Sequence, residues 1–489
     1  MNHFLSKSLF LRGLQCRKSL WLSKFRPDLR AEAGEAQKAA MAAGEEVGLV
    51  ARGLFPGGDE IVYEGNSPEE RVERTRSLID GGAHTIYEAT FRFGKLLVMV
   101  DILHRGEGGW ELYEVKMSTE VKPVYLSDVA FQYYVVTRSG LPVVKASVVH
   151  IDKDYVRRGD IDVNALFQIE DVTERSTGLE AMVNEELGFM LDILEGDCPE
   201  IGIGPQCRDP YECDFIPYCW AGIPENSVFD LRGKGIDKFA SYRQGKVLFS
   251  DLNPAELNFK QGMQVSAELQ GREYVDRDGI RAFLDSLYYP LCFLDFETLY
   301  NEAIPPFDGT RPYSRIPFQY SIHILESEGE ELIHHEFLAP SGADCREELA
   351  ERLVEIIPDR ACVLAYNMSF EKGVISELAE EFPRLKDKLL MINDHMKDLM
   401  VPFRERFCYT KEMKGSYSIK YVLPALVPDL RYEGMVVSNG DEAVLAYKRL
   451  AAMKNAGEAA ALKKDLLAYC RLDTLAMVRL LEKLRKLSR

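Results

Sequence analysis

Three sets of side chains in this chain have the types and spacing that phosphoryl or metal chemistry needs. The first is Asp101, Glu114 and Lys116. The run LLVMVDIL reaches Asp101 near its end, and 13 residues later LYEVKM holds Glu114 and Lys116 two apart. Two apart in a strand means one face. Two carboxylates there can bind a hard divalent cation, while an ammonium steadies an attacking hydroxide or the charge growing on phosphorus. A solvated strand face explains an isolated D…ExK equally well.

The second set is Asp295 and Glu297 in CFLDFET, Glu371 in YNMSFEKG, and Tyr469 with Asp473 in YCRLD. Asp295 and Glu297 stand about 6.6 Å apart along a strand. They repel unless divalent cations join them, and a two-cation site activates water and stabilises a leaving 3′ oxygen. Glu371 falls in the first turn of a helix, where an acid also complements the helix dipole. Tyr469 and Asp473, four apart, share a helical face. Asn367 supports the turn before Glu371, and Asp398 in MKDLM reads as structural.

The third set is four cysteines. CRDPYECDFIPYC spaces Cys207, Cys213 and Cys219 by six and six, and Cys16 lies 191 residues before Cys207 in a basic helical segment. Four thiolates suit iron–sulfur or zinc. A centre joining such distant ligands staples the first helix to the end of its domain. Spacing does not choose the metal, because neither half holds a C-x-x-C knuckle. Cys198 is a substitute ligand, while Cys292, Cys345, Cys362, Cys408 and Cys470 read as ordinary core or surface thiols.

Each set needs elements to hold it. The front predicts a helical stretch over SKSLFLRGLQCRKSLWLSK and a meander of strands over 86–93, 95–104 and 110–117 with turns at Gly94 and GEGG. A helix over 126–138, a strand at KASVVHI and a helix over 180–194 follow. Residues 223–288 mix short turns with modest helical patterning and read as a connector. Beyond Pro290 come a strand (LCFLDFET), a hairpin (FQYSIHIL to ELIHHEFLA), a helix (REELAERLVEII), a strand (CVLAYN), a helix (FEKGVISELAEEF) and a long final helix from about 459. This order predicts an α/β multidomain protein with a mixed sheet, divided as 1–222, 223–288 and 289–489.

Composition bounds the rest. A chain of 489 residues, 46% hydrophobic and 28% charged, is too apolar for disorder and too long for one core. No apolar run reaches the roughly 18 residues of a membrane span, and Lys7 and Arg12 interrupt the opening before a signal-peptide core forms. The cytoplasm is therefore the expected compartment, where disulfides are unlikely and the ten cysteines read as core thiols or metal ligands. A net charge of −18 excludes a protein that coats nucleic acid nonspecifically. Local contacts remain open, since residues 1–30 carry a net +6 and the stretch from Arg471 a net +4. There is no internal repeat.

The D…ExK strands with Gln132 in the following helix resemble the PD-(D/E)xK nuclease superfamily, within it the RecB-like and AddB-like nucleases and their CRISPR-associated relatives. Two positions depart from that pattern: Val136 replaces the tyrosine of Gln-x-x-x-Tyr, and Gly48 in AGEEVG stands where relatives often have a histidine. The resemblance implies a restriction-endonuclease-like α/β core in which Asp101 and Glu114 bind metal and Lys116 and Gln132 are catalytic, with Glu88 as a further carboxylate. A lone early cysteine followed by three late ones resembles the iron–sulfur nucleases, which implies a 4Fe–4S cluster on Cys16, Cys207, Cys213 and Cys219, with zinc as the alternative.

The ordered set D-x-E, N-x-x-F-[D/E], Y-x-x-x-D resembles the DnaQ-like exonucleases of the DEDDy type, on an RNase H-like fold. It implies Mg²⁺ or Mn²⁺ on Asp295, Glu297, Glu371 and Asp473, with Tyr469 orienting the water; Glu371 is one methylene longer than the family's aspartate. KGSYSIKYVLPAL resembles a bacterial family in which an exonuclease-like domain follows a RecB-like one, and Lys414, Ser418 and Lys420 there are candidate strand contacts. Together these imply a metal-dependent nuclease that trims DNA ends, running 3′ to 5′ in its back domain, in repair, recombination or defence. The alternatives are a nucleic-acid-binding scaffold with a structural iron–sulfur or zinc site, and an RNA exonuclease. No membrane or protein partner is indicated.

Overall fold

The computed structural model describes residues 4–432 and 434–489. The chain is an α/β protein of two compact units. One runs up to Gly222 and includes Asn301–Tyr313; the other holds Ile223–Tyr300 and Ser314–Arg489.

The first unit is built on a mixed sheet of β1 (Leu5–Ser6), β2 (Asp59–Glu60), β3 (Thr85–Phe93), β4 (Leu96–Gly106), β5 (Gly109–Lys116), β6 (Val143–Ile151) and β7 (Phe167–Asp171). The order is β2-β3-β4-β5-β6-β7, with β1 beside β4. Strands β3, β4 and β5 form an antiparallel meander, and its first turn is possible because Gly94 takes φ 58°. β6 runs parallel to β5, which requires a crossover. The helix Pro123–Arg138 supplies it, starting three residues before the hydrophobic pattern because proline fits the first helical turn. This helix buries Val129, Phe131, Val135 and Val136. Phe131 stacks on Phe10 at 4.5 Å between ring centroids, and burying each such aromatic contributes about 1.5–3 kcal/mol.

The opening helical stretch is two helices, Lys7–Gln15 and Arg17–Phe25, broken at Cys16 by extended backbone (φ −160°, ψ 111°). A thiol at a break between helices is free of the side-chain crowding of a helical turn.

The second unit carries β8 (Tyr274–Val275), β9 (Leu291–Leu299), β10 (Ile316–Leu325), β11 (Ile333–Leu338), β12 (Cys362–Ala365), β13 (Met396–Asp398) and β14 (Cys408–Tyr409). Five of them form a mixed sheet in the order β11-β10-β9-β12-β13, antiparallel from β11 to β9 and parallel from β9 to β13. β9 is central and nearly all buried, so its sequence is an apolar run interrupted at Asp295 and Glu297. The helix Ala456–Leu487 buries Leu466, Tyr469, Cys470, Asp473, Met477, Leu480 and Leu484 at helical spacing and packs on β9 and β10.

Two stretches depart from the domain division expected of the sequence. Residues 223–288 are not a separate connector, because the helices Phe259–Gln270 and Arg277–Asp285 bury Met263, Ala267 and Ile280 in one core with Leu291 and Phe293. The segment Asn301–Tyr313, between β9 and β10, belongs to the first unit. Ala303, Ile304 and Tyr313 pack with Tyr87, Ile102 and Tyr113, and Arg157 donates to the carbonyls of Pro305 and Pro306 at 3.0 and 2.7 Å. Among the described residues no helix is long and apolar enough to cross a membrane.

Candidate functional site

In the first unit, Glu114 and Lys116 leave β5 on one face, beside Asp101 of β4. Lys116 Nζ donates to Glu114 Oε1 at 2.6 Å and to Asp128 Oδ2 at 2.7 Å. Lys7 enters from the first helix and donates to the same Glu114 oxygen at 2.6 Å. Gln132 Nε2 spans Glu114 Oε2 at 2.6 Å and Asp128 Oδ1 at 2.9 Å, which its position one turn after Asp128 allows. Asp101 Oδ2 accepts the Val115 N–H at 2.7 Å.

All four expected residues of this pocket therefore converge, and both oxygens of Glu114 are occupied by protein donors. Burial pushes the Glu114 carboxyl up, but Lys116 and Lys7 more than offset that and hold it below the ordinary range. Asp101 is pushed up to about 7 by burial and by the charge of Glu114.

Lys7 and Asp128 were not expected here. Asp128 could have been found from its i, i+4 relation to Gln132; Lys7, a base before an apolar helix, carries no such signal. Glu88 takes φ 57°, a conformation that costs a non-glycine residue about 1–2 kcal/mol. Its charge acts on Asp101, and Arg52 pairs with it at 3.6 Å. At Gly48 a Cβ would meet open space, and Val136 is core.

The cysteines of the first unit also gather. Burial raises the Cys16 and Cys219 thiols, and Cys207 and Cys213 add to both, so the four lie in one neighbourhood. Cys198 instead points its sulfur at the Pro199 carbonyl, 3.9 Å away. Among the described residues no three of the four sulfurs lie within 4.8 Å of one another. The loop that carries Cys207, Cys213 and Cys219 is tied to the first helix independently of the thiols. Arg12 holds Asp214 through two bonds of 2.6 and 3.0 Å, and Gln15 Nε2 donates to the Gln206 and Tyr211 carbonyls at 2.8 and 2.6 Å.

In the second unit, Asp295 and Glu297 share one face of β9 and the helix Ala456–Leu487 brings Tyr469, Cys470 and Asp473. Glu371 sits in the first turn of Met368–Glu381. That helix starts from Asn367 in the left-handed region (φ 77°). The turn is anchored by Asp398 Oδ1, which accepts the N–H groups of Asn367 and Met400, each at 3.0 Å. Carboxylate oxygens of Asp295 and Glu297 and the Cys470 sulfur lie within 4.8 Å of one another. Asp473 and Glu371 stand outside that closest group, yet their charges act on both Asp295 and Glu297.

Electrostatics here are one-sided. Burial and the Asp473 charge push Asp295 and Glu297 well above the carboxylate range. Glu371 is pushed up to about 8 by burial, with Asp398 adding, and its Oε2 is buried without a hydrogen-bond partner. Burial takes Asp473 up to about 6 against the Tyr432 hydroxyl, which donates to Oδ1 at 2.5 Å, and against Lys420 and Tyr469. Tyr469 is raised by burial and by Asp473, so it stays a neutral phenol. A pocket of buried carboxylates with one orphaned oxygen offers the oxygen donors that divalent cations take.

Tyr432 gave no signal in the sequence. Cys470, expected as an ordinary thiol, is fully buried within this pocket; its place three residues before Asp473 is the signal that finds it. No curated protein matches the chain. Residues 292–418 match a family model described as a domain of unknown function (DUF2779), a stretch that carries Asp295, Glu297 and Glu371 and ends before Tyr469 and Asp473.

Proposed function

We propose that this chain is a metal-dependent nuclease that hydrolyses DNA phosphodiesters from strand ends. The first unit is read as a RecB-like PD-(D/E)xK nuclease with an iron–sulfur centre, and the second as a DnaQ-like 3′–5′ exonuclease of RNase H-like fold. The observation that carries this reading is the meeting of Asp295, Glu297, Glu371 and Asp473 with Tyr469, from three separate elements, in a buried pocket whose carboxylates repel one another. An antiparallel three-strand meander continued by two parallel strands is compatible with the RNase H-like fold.

Mg²⁺ or Mn²⁺ held by the four carboxylates would supply activation of water and stabilisation of the leaving 3′ oxygen. The remaining work falls to the chain. The Tyr469 phenol, kept neutral, orients the nucleophilic water. Tyr432 fixes the Asp473 carboxylate, and Lys420 offsets part of the negative charge on Glu297 and Asp473. In the first unit Asp101 and Glu114 would hold the cation, and Lys116 is the ammonium poised against charge growing at phosphorus.

Cys16, Cys207, Cys213 and Cys219 would hold a 4Fe–4S cluster that ties the first helices to the loop after Gly204.

The test is purified protein on end-labelled single-stranded DNA, duplex DNA and RNA with Mg²⁺ or Mn²⁺, beside Asp101→Ala and Asp295→Ala. Loss of a distinct product in each variant supports two active pockets. Binding without any cleavage leaves a scaffold, and cleavage confined to RNA gives the other enzyme. Iron and sulfide that disappear in Cys213→Ser support the cluster; one equivalent of zinc without sulfide overturns it.

A further inference from the structure

Resting on the reading of the second pocket as a cation site, we infer that Cys470 is a cation ligand there and makes it a mixed oxygen–sulfur site, selective for a thiophilic divalent cation of the Zn²⁺ or Cd²⁺ class over Mg²⁺. A buried cysteine is most often a small apolar filler, and the expected neighbours of a filler are hydrocarbon. Cys470 has others. Its sulfur lies 3.7 Å from Asp295 Oδ2 and 3.9 Å from the Asp295 carbonyl, and within 4.8 Å of a Glu297 oxygen. It leaves the same helix as Tyr469 and Asp473 and is fully buried.

The second observation is Glu371, only 2% exposed, whose Oε2 has no hydrogen-bond partner and whose charge acts on Asp295 and Glu297. Together these offer three carboxylates and one sulfur.

Distances suit this chemistry. Around zinc, oxygen at about 2.0–2.2 Å and sulfur at about 2.3 Å place neighbouring donors about 3.5 Å apart in a tetrahedron. The spread of Asp295, Glu297 and Cys470, within 4.8 Å, closes to that by a side-chain adjustment of about 1 Å, and Glu371, outside this group, is the donor that must swing further to complete it. On coordination the thiol S–H breaks, its proton passes to solvent and the thiolate bonds the cation. A soft thiolate adds little affinity for Mg²⁺, which prefers oxygen and water, and much for Zn²⁺ or Cd²⁺. A serine at 470 keeps the volume and removes that preference.

The experiment uses the full chain as purified, with Cys470→Ser, Cys470→Ala and Asp295→Asn, each checked by circular dichroism. Cadmium is titrated while the ultraviolet sulfur-to-cadmium band is recorded as wild type minus Cys470 variant, which cancels the other nine cysteines and any iron–sulfur absorption. In parallel, Zn²⁺ displaces Mn²⁺, with free Mn²⁺ read by electron paramagnetic resonance. The expected result is a band that saturates at one equivalent and is absent from both Cys470 variants and from Asp295→Asn. The Zn²⁺ needed to displace the Asp295-dependent Mn²⁺ should rise at least about tenfold in Cys470→Ser. Asp295-dependent Mn²⁺ binding with identical cadmium spectra in wild type and both Cys470 variants overturns this inference alone. Absence of any Asp295-dependent Mn²⁺ or Cd²⁺ binding overturns the cation reading of the pocket as well.

Discussion

The two carboxylate pockets solve the same electrostatic problem differently. In the first, the acids Asp101, Glu114 and Asp128 share their space with the ammonium groups of Lys7 and Lys116, and both Glu114 oxygens carry donors. In the second, Asp295, Glu297, Glu371 and Asp473 face a field from Lys420, hydroxyls from Tyr432 and Tyr469 and the Cys470 thiol beside Asp295. The first pocket is thus paired within the protein, and a cation bound through Glu114 Oε1 must displace an ammonium. The second lacks such a partner, and its carboxyls hold protons to higher pH instead. Fold stability and cation affinity are aligned in the first pocket and opposed in the second.

The same chemical change should therefore have opposite effects in the two places. Asp295→Asn removes a repelling charge while keeping the shape. Release of nucleotides from a labelled 3′ end in Mn²⁺ should fall by about 10²–10³. In chelator at pH 8 the variant should be more stable than wild type, by about 1–3 kcal/mol, measured by urea unfolding. Glu114→Gln leaves two ammonium groups without their shared partner and should destabilise the first unit by about 2–4 kcal/mol, reduced from the usual cost of a broken buried pair because both lysines are partly exposed. Trp21, Trp110 and Trp220 all lie before residue 223, so tryptophan fluorescence reads this loss alone. Equal signs in the two variants would remove the distinction.

How much of this was legible beforehand follows from the range of the interactions. Strands β3 to β5 and β9 to β12, and the helices over 126–138 and 180–194, follow from local periodicity and turn residues, and they stand within a few residues of expectation. Glu114 with Lys116, Asp295 with Glu297, and Asp473 with Tyr469 were visible because period 2 or period 3.6 ties each to a partner on its own element, and Asp101 because the next strand of a meander lies beside it. Lys7 and Tyr432 were not, since each reaches its pocket by tertiary packing alone: Lys7 lies 107 positions from Glu114 and Tyr432 lies 41 from Asp473. The place of 223–288 and of 301–313 was hidden for the same reason. The apolar residues of 223–288 divide between a small cluster of their own, around Val228, Phe249 and Val265, and the core around Leu291 and Phe293, and those of 301–313 join a core of the first unit; which core each completes is a tertiary fact.

pH should separate the pockets next. Without divalent cations, Glu371, raised to about 8, and Asp473, raised to about 6, keep protons in the folded state that the unfolded chain has already released. The unfolded state therefore binds fewer protons between about pH 4 and 8, and the second unit loses stability as pH rises through that window. Saturating Mn²⁺ should flatten or reverse this slope, because the cation favours the ionised form. In the first pocket Asp101, raised to about 7, acts in the same direction up to about pH 7, while Glu114, held low by Lys116 and Lys7, loses its contribution only on acidification below the ordinary carboxylate range. Far-ultraviolet circular dichroism set against tryptophan fluorescence, from pH 4.5 to 8.5 with and without Mn²⁺, measures both slopes: the second unit should go on losing stability from about pH 7 to 8 after the first unit's curve has levelled, and a second-unit curve that is flat there would contradict it.

The smallest expected effect isolates one hydrogen bond in the second pocket. Tyr432→Phe removes the hydroxyl that donates to Asp473 Oδ1 at 2.5 Å, and this bond favours the charged carboxylate. Without it Asp473 holds its proton to higher pH, so the acid limb of the 3′-end activity should move up by about one pH unit, the equivalent of about 1.4 kcal/mol. The plateau rate above pH 8 should stay within about threefold, since Asp473 is then ionised in both proteins. Tyr469→Phe should behave differently if Tyr469 orients the water, lowering the plateau itself while moving the limb less. A Tyr432→Phe protein with an unmoved limb and a depressed plateau would mean that Tyr432, and not Tyr469, is the phenol that faces the reacting atoms.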